Sequence, residues 1–586
     1  MNDPFILEAF VDFPDDALKA RQPITPEHLD AMMAALKARG VKRVSWGYYG
    51  DGHGGWFIPT FQVDQAVDAQ GEWANFADTY HLIGNPLKAA AEAAHRHGIE
   101  LYAYYKPYET GVSVLFPEGS PEAQRWGRLA QIGGRMTWME RFVVDHPELR
   151  IKRKAGDIPA DVETRPICAL RLMKEDDSPT RLTKEHIQIW TSKLNYKYER
   201  LDIDFQVEET IEPCPRDIYD LDSRIAAYFM EDGRDATQEE IRALDGRLVA
   251  RKGDRVRVLT LSGFEITDPY LVITTDFTDG PGDFENTGTD MLVALDADGK
   301  EIPGVFATGG AIWNADRGDF RSYGLNFDYG FGRHRLRLDE PVKIAWQGSG
   351  MIGYARGRNA WLPGALCEME PAVREYWRSC VQEMLDAGVD GIDFREENHS
   401  MHTDYPEEYG YNDVVLAECE RRGESIAKVR GDAYTEFLRE SKAMIAAAGK
   451  QMRYNLQIDW YRADPPGSRR LAYPGNMEFQ WRRWIDEGLM DEAILRFFHY
   501  PFDCLYDDAV ALEMIDRCRA KGLPITVNRY IQRPTLQEEY RRIREDGRFA
   551  GFILYETWAF LDFNADNSVT VTMPEIDALA EVETGS

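Results

Sequence analysis

The chain has 586 residues, of which 44% are hydrophobic and 29% charged, and its net charge is −31. This composition is ordinary for a globular protein, and the chain is long enough to bury a large core. The acidic balance argues against sequence-independent nucleic-acid binding and against adhesion to an anionic membrane, since both need a basic face. We therefore expect no nucleic-acid partner and no membrane partner.

We recognise neither a targeting segment nor a cysteine motif in the sequence. No run approaches the roughly 18 apolar residues of a membrane span, and the N-terminus lacks the pattern of a signal peptide. A cytoplasmic protein is expected, although a trimmed secreted or periplasmic protein would look the same. The seven cysteines form no CxxC pair, which favours free thiols over a zinc cluster. We predict no cofactor and leave a homo-oligomer open.

Eight short apolar runs have the composition of buried strands, and helical periodicity lies between most of them. One such helix, predicted at 26–39, stops at Gly40, a residue suited to a helix end. In chain order the runs are 5–11, 41–46, 99–105, 388–394, 451–457, 492–498, 523–528 and 550–555. Strand and helix alternating eight times predict an α/β fold, a parallel (β/α)8 TIM barrel with right-handed crossovers.

The long interval between the third and fourth runs has a different pattern. Its apolar or alternating segments at 255–266, 270–277, 290–302 and 334–346 are separated by turn signals, and one helix is predicted at 237–248. Short strands at this spacing are typical of a β-sandwich. We therefore predict barrel strands 1–3 in 1–150, an inserted β-rich domain in 151–351, and barrel strands 4–8 in 352–586.

Residues at the carboxyl ends of barrel strands face the active site, so these positions supply the candidate site. Amides, cations and histidines there can bind sugar hydroxyls or acidic groups, and aromatic rings can stack on sugar faces. The predicted substrate-binding residues are Tyr105, Lys106, Glu109, Arg395, His399, Asn455, Gln457, His499, Asn528, Arg529 and Trp558.

Three carboxylates are the candidate catalytic residues. Asp393 lies in the otherwise apolar run GVDGIDF, where a carboxylate is rarely tolerated unless it is paired or functional. A salt bridge to Arg395 is the structural alternative. Glu397 follows the same strand, and Glu556 follows the eighth. A pair of carboxylates is what glycoside hydrolysis needs, one to protonate the leaving oxygen and one to attack or to activate water.

Other charged groups leave alternatives open. The cations that end strands, Lys106, Arg395, Arg496 and Arg529, could bind uronate or sulfate groups, or neutralise catalytic carboxylates. Four histidines could meet at the mouth of the barrel, by which we mean the end where the carboxyl ends of its strands lie: His53, His399, His402 and His499. No HExxH motif occurs, so we predict no metal. The acidic loop 276–290 could hold calcium; it does not fit the EF-hand spacing, and a solvated turn is preferred.

Three segments resemble the glycoside-hydrolase-like barrel proteins of the tenth such family. They are EYWRSCVQEMLDAGVDGIDF, the Tyr-Pro-rich DYPEEYGYND and FQWRRWIDEGLMDEAILRF. The resemblance covers the barrel segments, about half of the chain, and implies a (β/α)8 fold and polysaccharide breakdown, often by a retaining two-carboxylate mechanism. Those barrels often have Gly-Ile-His-Leu-Asp where this chain has GIDFR, so Arg395 stands at the expected acid position.

The sequence therefore predicts a glycoside hydrolase that acts on a poly- or oligosaccharide, with an acidic (uronic or sulfated) glycan as one candidate carbohydrate substrate. Asp393 is expected to act as nucleophile or base and Glu397 as acid, with Glu556 in reserve. Two alternatives stay open. One is a metal-assisted hydrolase or polysaccharide lyase that uses the same mouth. The other is a carbohydrate-binding barrel without turnover, which Arg395 at the acid position favours.

Overall fold

A computed structural model provides the structure of the chain. It describes residues 5–20, 22–48, 72–114, 135–156, 164–174, 176–193, 199–215, 217–219, 248–275, 292–302, 305–308, 352–356, 361–396, 408–461, 476–497 and 501–584.

Eight parallel strands close into a barrel in the order in which they follow one another along the chain. We number them β1 to β8, and their bounds are Ile6–Val11, Val41–Tyr48, Glu100–Tyr105, Gly391–Phe394, Gln451–Gln457, Glu492–Arg496, Ile525–Tyr530 and Gly551–Tyr555. Each predicted run overlaps one of these strands, so the predicted barrel is confirmed.

Amphipathic helices lie between the barrel strands. Pro371–Asp386, for example, buries Val373, Trp377, Val381 and Met384, which recur at the spacing of one helix face. The predicted helix 26–39 is Pro26–Lys37, and its N-terminus is capped by a threonine side chain. The other helices are Phe13–Lys19, Glu72–Ile83, Pro86–Arg96, Arg141–Asp145, Asp413–Arg422, Ile426–Ala447, Ile458–Tyr461, Trp481–Asp486, Cys504–Asp507, Ala509–Ala520, Leu536–Glu545 and Pro574–Thr584.

Two antiparallel sheets occupy the interval between β3 and β4. One has the strand order Gln206–Pro213, Arg255–Ile266, Ile167–Met173 and Leu292–Leu295. The other has the order Val305–Thr308, Ile352–Arg356, Tyr270–Thr275, Ile187–Ser192 and Glu199–Arg200. One apolar cluster draws on both sheets, with Leu170 and Leu261 from the first and Ile189 and Leu271 from the second. A shared apolar cluster is the arrangement expected of two sheets packed face to face.

The ends of this interval lie side by side, because Arg150–Lys152 pairs with Trp361–Leu366. The strand Ile352–Arg356 belongs to the second of these sheets but lies wholly after the predicted boundary at 351. The division into 1–150, 151–351 and 352–586 stays a prediction, as does the sandwich architecture. The predicted elements at 276–290 and 334–346, and nearly all of 237–248, lie outside the described residues. The remaining strand pairs are Gly111–Val114 with Arg135–Met139, Ile218–Tyr219 with Leu248–Ala250, and Leu561–Phe563 with Val569–Val571.

The barrel interior is divided by a layer of buried side chains, which are Phe10, Tyr104, Ile494, Ile553 and Tyr555. Polar side chains lie on both sides of this layer, toward the amino ends and toward the carboxyl ends of the strands.

The seven cysteines are all free thiols. Within the described ranges, no helix has both the length and the apolar character that crossing a membrane requires.

Candidate functional site

An ion cluster fills the amino-terminal end of the barrel interior, and we call it the floor cluster. Its members come from six strands and are Glu8, Arg43, Ser45, Asp393, Arg453, Glu492 and Thr526. Arg453 lies at its centre. One of its terminal nitrogens, Nη2, donates to Asp393 Oδ2 and to Glu8 Oε1, both at 2.6 Å, and its Nη1 lies 3.2 Å from Glu492 Oε1. Contacts between strands that are not neighbours require these side chains to point into the barrel.

The floor cluster contains the predicted catalytic residue Asp393. The residue is 1% exposed, and burial raises the pKa of its carboxyl group. The charged partner is Arg453, which also donates from Nε to Asp393 Oδ1, and not the predicted Arg395. Ser45 Oγ donates to Asp393 Oδ2 at 2.6 Å. These contacts belong to a structural ion pair and do not favour a catalytic role, which stays untested.

Local sequence explains how the floor cluster fits beside the barrel wall. The Tyr102 ring packs under two guanidinium groups, 4.4 Å from Arg43 and 4.5 Å from Arg453, in cation–π geometry. A Cβ atom at Gly391 would lie 2.4 Å from this ring, so β4 begins with a glycine at the point of closest approach.

At the opposite end, Glu556 directly follows β8 and is half-buried. Burial raises the pKa of its carboxyl group, and the nearby carboxylate of Asp12, which directly follows β1, raises it further. Trp558 Nε1 donates to Glu556 Oε2, so two of the predicted site residues are in direct contact. The mouth therefore holds two close carboxyl groups, one of which keeps its proton to a higher pH than usual.

A third carboxyl group, that of Asp16, lies behind these two. It is 1% exposed and accepts a hydrogen bond from Thr557 Oγ1 at 2.7 Å. Burial raises the pKa of Asp16 to about 7. Its Oδ1 has no hydrogen-bond partner in the part of the chain that the structure describes. The segments that follow β1 and β8 therefore hold a carboxylic acid that is still partly neutral near pH 7.

Two arginines meet above the apolar layer. Arg395 Nη1 lies 3.4 Å and Arg496 Nη2 3.0 Å from the hydroxyl oxygen of Tyr555. Their side chains come from the ends of β4 and β6 and meet a side chain of β8, so both point into the barrel. Both are nearly inaccessible, at 2% and 1% exposed. The predicted binding residue Arg395 is therefore part of a buried pair of cations at the mouth.

The predicted amide ligands lie in the same interior. Asn455 Nδ2 donates to the carbonyl oxygen of Phe394 at 3.2 Å. The Oε1 of Gln457 and both side-chain polar atoms of Asn528 have no hydrogen-bond partner among the described residues. Gln457 is 2% exposed and Asn528 is 0% exposed. Buried amides with unused hydrogen-bonding capacity are unusual and are typical of a site that receives a ligand.

The predicted residues Lys106 and Glu109 follow β3 and form an ion pair with each other, with both side chains buried. The Lys106 ammonium group also lies 5.5 Å from the centroid of the Tyr104 ring. Their charges thus offset one another, which weakens the case for either as a separate contact to the substrate.

Tyr105 and Arg529 face away from the interior. The Tyr105 ring is 2% exposed and packs against Tyr48 and Phe394 in the apolar core. Arg529 Nε lies 3.2 Å from Glu539 Oε2, on an outer helix. Because side chains alternate along a strand, their positions place them opposite to Tyr104 and Asn528. Their contacts do not favour the predicted binding roles.

Several candidates lie outside the described residues. They are Glu397, His399 and His499 from the predicted site, together with His53 and His402. The roles assigned to them stay predictions. In the described ranges, no group of three or more His, Cys, Asp or Glu side chains is arranged to hold a metal ion.

Two mouth residues, Asp12 and Tyr530, were not among the predicted site residues. Asp12 directly follows β1, and applying the strand-end rule to the first strand would have found it. Tyr530 ends β7, is 43% exposed, and has its ring centroid 5.1 Å from that of Tyr555. An exposed ring at the mouth is better placed to stack on a sugar than the buried Tyr105.

Comparisons with known proteins give weak likenesses. No family model matches the chain, and no curated protein matches it. Among solved structures, the glycoside hydrolase domain of PelA from Pseudomonas aeruginosa is 16% identical, with a TM-score of 0.20; the match covers 34% of this chain and 65% of that domain. The catalytic domain of a β-amylase from Paenibacillus polymyxa is 9% identical over 100% of this chain and 99% of its own, with a TM-score of 0.32.

A mandelate racemase/muconate lactonizing protein from Herpetosiphon aurantiacus is also 9% identical, over 63% of this chain and 94% of its own, with a TM-score of 0.16. Scores this low do not establish a common fold. The barrel of this chain is established by its own strand pairing.

Proposed function

We propose that this chain is a glycoside hydrolase that cleaves poly- or oligosaccharides, with Glu556 as general acid and Asp12 as the second carboxylate. The observation that carries the proposal is the state of Glu556. It is half-buried at the carboxyl end of β8, and burial together with Asp12 raises the pKa of its carboxyl group. An acid that keeps its proton to a higher pH than usual and still reaches solvent suits protonation of a glycosidic oxygen.

The reaction divides between the two carboxyl groups. Glu556 donates its proton to the leaving oxygen as the bond to the anomeric carbon breaks. Asp12, as carboxylate, either attacks that carbon or takes a proton from the water that attacks it. In both cases the sum is the addition of one water across the glycosidic bond. Tyr530 offers a ring on which the sugar can stack, and Trp558 holds Glu556 in place.

In this assignment the catalytic acids do not come from β4. Asp393 is already paired with Arg453, and Arg395 stands at the position where the resembled family carries its acid. Glu556 and Asp12 directly follow β8 and β1, which are neighbours in the barrel. Glu397 stays the rival candidate for the acid.

The test is release of reducing ends from a panel of neutral, uronic and sulfated polysaccharides. The wild type is compared with Glu556→Gln, Asp12→Asn and Glu397→Gln, with Glu538→Gln on an outer helix as the control. Loss of a general acid should lower kcat by about 10²–10⁴-fold. Aryl glycosides with good leaving groups, which need little protonation, should recover most of that loss in Glu556→Gln alone. A merely structural Glu556 would not distinguish leaving groups.

Other outcomes would replace the proposal. Full activity of Glu556→Gln together with loss in Glu397→Gln would transfer the acid role to Glu397. A product that absorbs in the ultraviolet would identify a lyase, and loss of activity with a chelator would identify metal assistance. Binding without product from any member of the panel would identify a carbohydrate-binding barrel.

A further inference from the structure

One short helix contacts both of the segments that carry the proposed carboxyl pair. The helix Phe13–Lys19 begins directly after Asp12, and the backbone N–H of Asp16 donates to the Asp12 carbonyl oxygen at 3.3 Å. On its other side, the helix contacts the residues that directly follow Glu556. A shift of this helix against those residues would therefore change the separation of the two carboxyl groups.

The helix holds the segment after β8 through two side chains, those of Asp16 and Lys19. Residues three apart share one face of a helix, so both side chains point the same way. Asp16 Oδ2 accepts a hydrogen bond from Thr557 Oγ1 at 2.7 Å. Lys19 Nζ donates to the carbonyl oxygens of Trp558 and Leu561, at 2.7 and 2.9 Å. The segment is thus attached to the helix both at its start and further along.

Of these two side chains, Asp16 makes its contact closer to the proposed acid. Its donor, Thr557, directly follows Glu556 and begins a single 3-10 turn. Asp16 is 1% exposed and Thr557 is 0% exposed, so water does not compete for the hydrogen bond between them. Burial is the main cause of the raised pKa of Asp16, and the carboxylates of Asp12 and Glu556 add to it, so Asp16 lies near both.

We propose that Asp16 is a positioning residue, which holds the turn after Glu556 against the helix that begins after Asp12. The separation of two carboxyl groups decides whether one of them attacks the anomeric carbon or activates a water molecule, so it must be held within narrow limits. Asp16 acts through Thr557 rather than on the substrate. The proposal rests on the proposed function where it concerns catalysis, whereas the placement of Glu556 can be measured without a substrate.

Trp558 gives a signal of where Glu556 lies, because its indole Nε1 donates to the Glu556 carboxyl group. The full chain is labelled with fluorotryptophan, and the fluorine NMR resonance of Trp558 is the one missing in Trp558→Phe. Asp16→Val and Thr557→Val each remove one partner of the hydrogen bond, whereas Asp16→Asn and Thr557→Ser keep it. Spectra are recorded at about pH 5, where Asp16 keeps its proton and an amide resembles it most closely.

The Trp558 resonance should move in Asp16→Val and in Thr557→Val, and should stay near its wild-type position in the two conservative variants. Asp78→Ala, at an exposed position of the helix Glu72–Ile83, is the control and should leave the resonance in place. A resonance that stays in place in both valine variants would overturn the proposal. Thr557→Val keeps the test decisive if Asp16→Val fails to fold, because valine has nearly the shape of threonine.

Turnover on the polysaccharide panel measures the consequence for catalysis. A displacement of about 1 Å can lower a rate by about 10²-fold. We therefore expect Asp16→Val to lower kcat about tenfold to hundredfold with KM within about twofold, and Asp16→Asn to recover most of that loss. A loss confined to KM would also overturn the proposal, since it would assign Asp16 to substrate binding.

The two measurements separate this proposal from the proposed function. If the resonance moves as expected but no member of the panel is cleaved, the positioning of Glu556 by Asp16 stands and the hydrolase proposal fails. If a polysaccharide is cleaved, and the valine variants change neither the resonance nor kcat, the hydrolase stands and the positioning role fails.

Discussion

In the floor cluster, Arg453 donates to carboxylates from three other strands, whereas at the mouth Glu556 and Asp16 accept from the neutral donors Trp558 and Thr557. The pKa of Glu492 follows this difference, whereas burial raises the pKa of Asp393 despite Arg453. Burial alone would raise the pKa of Glu492 in the floor cluster, but Arg453 and Arg43 outweigh it and lower that pKa. At the mouth, burial outweighs the contacts that lower the pKa, so the pKa values of Glu556 and Asp16 are raised.

The comparison shows that a buried acid in a barrel does not by itself indicate catalysis. Burying a carboxylate is costly unless a cation with good geometry compensates it. Compensation makes the carboxylate a structural tie between strands, as for Asp393. A carboxyl group that lacks it stays available for proton transfer, as for Glu556. The position of the nearest guanidinium therefore separates the two roles better than burial does.

The largest expected effect comes from removing the centre of the floor cluster. Arg453→Leu leaves Glu8, Asp393 and Glu492 in a buried site without their main cation. Breaking a buried ion pair from one side costs about 3–5 kcal/mol. We expect a fall of that size in the free energy of unfolding, or a failure to fold, in urea titrations followed by circular dichroism.

Arg542→Leu removes the same charge from an outer helix and should cost less than 1 kcal/mol. Equal stabilities of the two variants would show that the floor cluster does not tie the strands together.

A second effect, smaller and of opposite sign, is expected at the mouth. Because the pKa of Asp16 is raised to about 7, its contribution to stability is complete below about pH 4 and is lost as the pH rises to about 7. A rise of about three units in the pKa on folding corresponds to a loss of at most about 4 kcal/mol in the free energy of unfolding. Asp16→Asn keeps an acceptor for Thr557 and removes this loss, so it should stabilise the chain by about 1–3 kcal/mol at pH 8 and change little at pH 4.

Thermal unfolding between pH 4 and 8 measures this difference. Asp30→Asn is the matched control, because the Asp30 side chain is partly exposed and Arg96 lowers the pKa of its carboxyl group. It should bring no gain at pH 8. A destabilised Asp16→Asn at pH 8 would mean that Asp16 is ionised and compensated in the folded chain.

The fold could be predicted from the sequence because its signals are local. Apolar runs separated by helical periodicity located all eight strands, and Arg255–Ile266 in the long interval has the predicted bounds. Strand ends were less certain, since β4 begins at Gly391 rather than at 388 and β7 extends to Tyr530. Those ends depend on pairing with neighbouring strands, which no single segment contains.

The site could be predicted only in part. The strand-end rule placed Gln457 and Asn528 in the barrel interior and Glu556 and Trp558 directly after β8. Alternation along β4 correctly marked Asp393 as inward. The salt-bridge partner considered as the structural alternative, Arg395, is not the one that Asp393 has, because parity does not tell how far along the barrel axis a side chain lies. Asp393 and Arg453 share one level of the barrel, since they pair in register across β4 and β5.

The smallest expected effect distinguishes the two regions most directly. Asp393→Asn keeps the shape of the side chain, and because burial already raises the pKa of Asp393, a neutral group there is tolerated better than at Glu492. We expect a loss of about 0.5–1.5 kcal/mol in stability, the net contribution of one ordinary hydrogen bond. Activity per folded molecule should stay within about twofold of the wild type, since no reacting atom is touched.

The same change at the mouth, Glu556→Gln, should give the opposite result, with stability kept and activity lost. The melting temperature and kcat of both variants therefore show, for each of the two carboxyl groups, whether it stabilises the fold or takes part in the reaction. If Asp393→Asn were inactive while its fold and melting temperature were preserved, Asp393 would be a catalytic residue, and the compensation by Arg453 would be part of the reaction rather than of the scaffold.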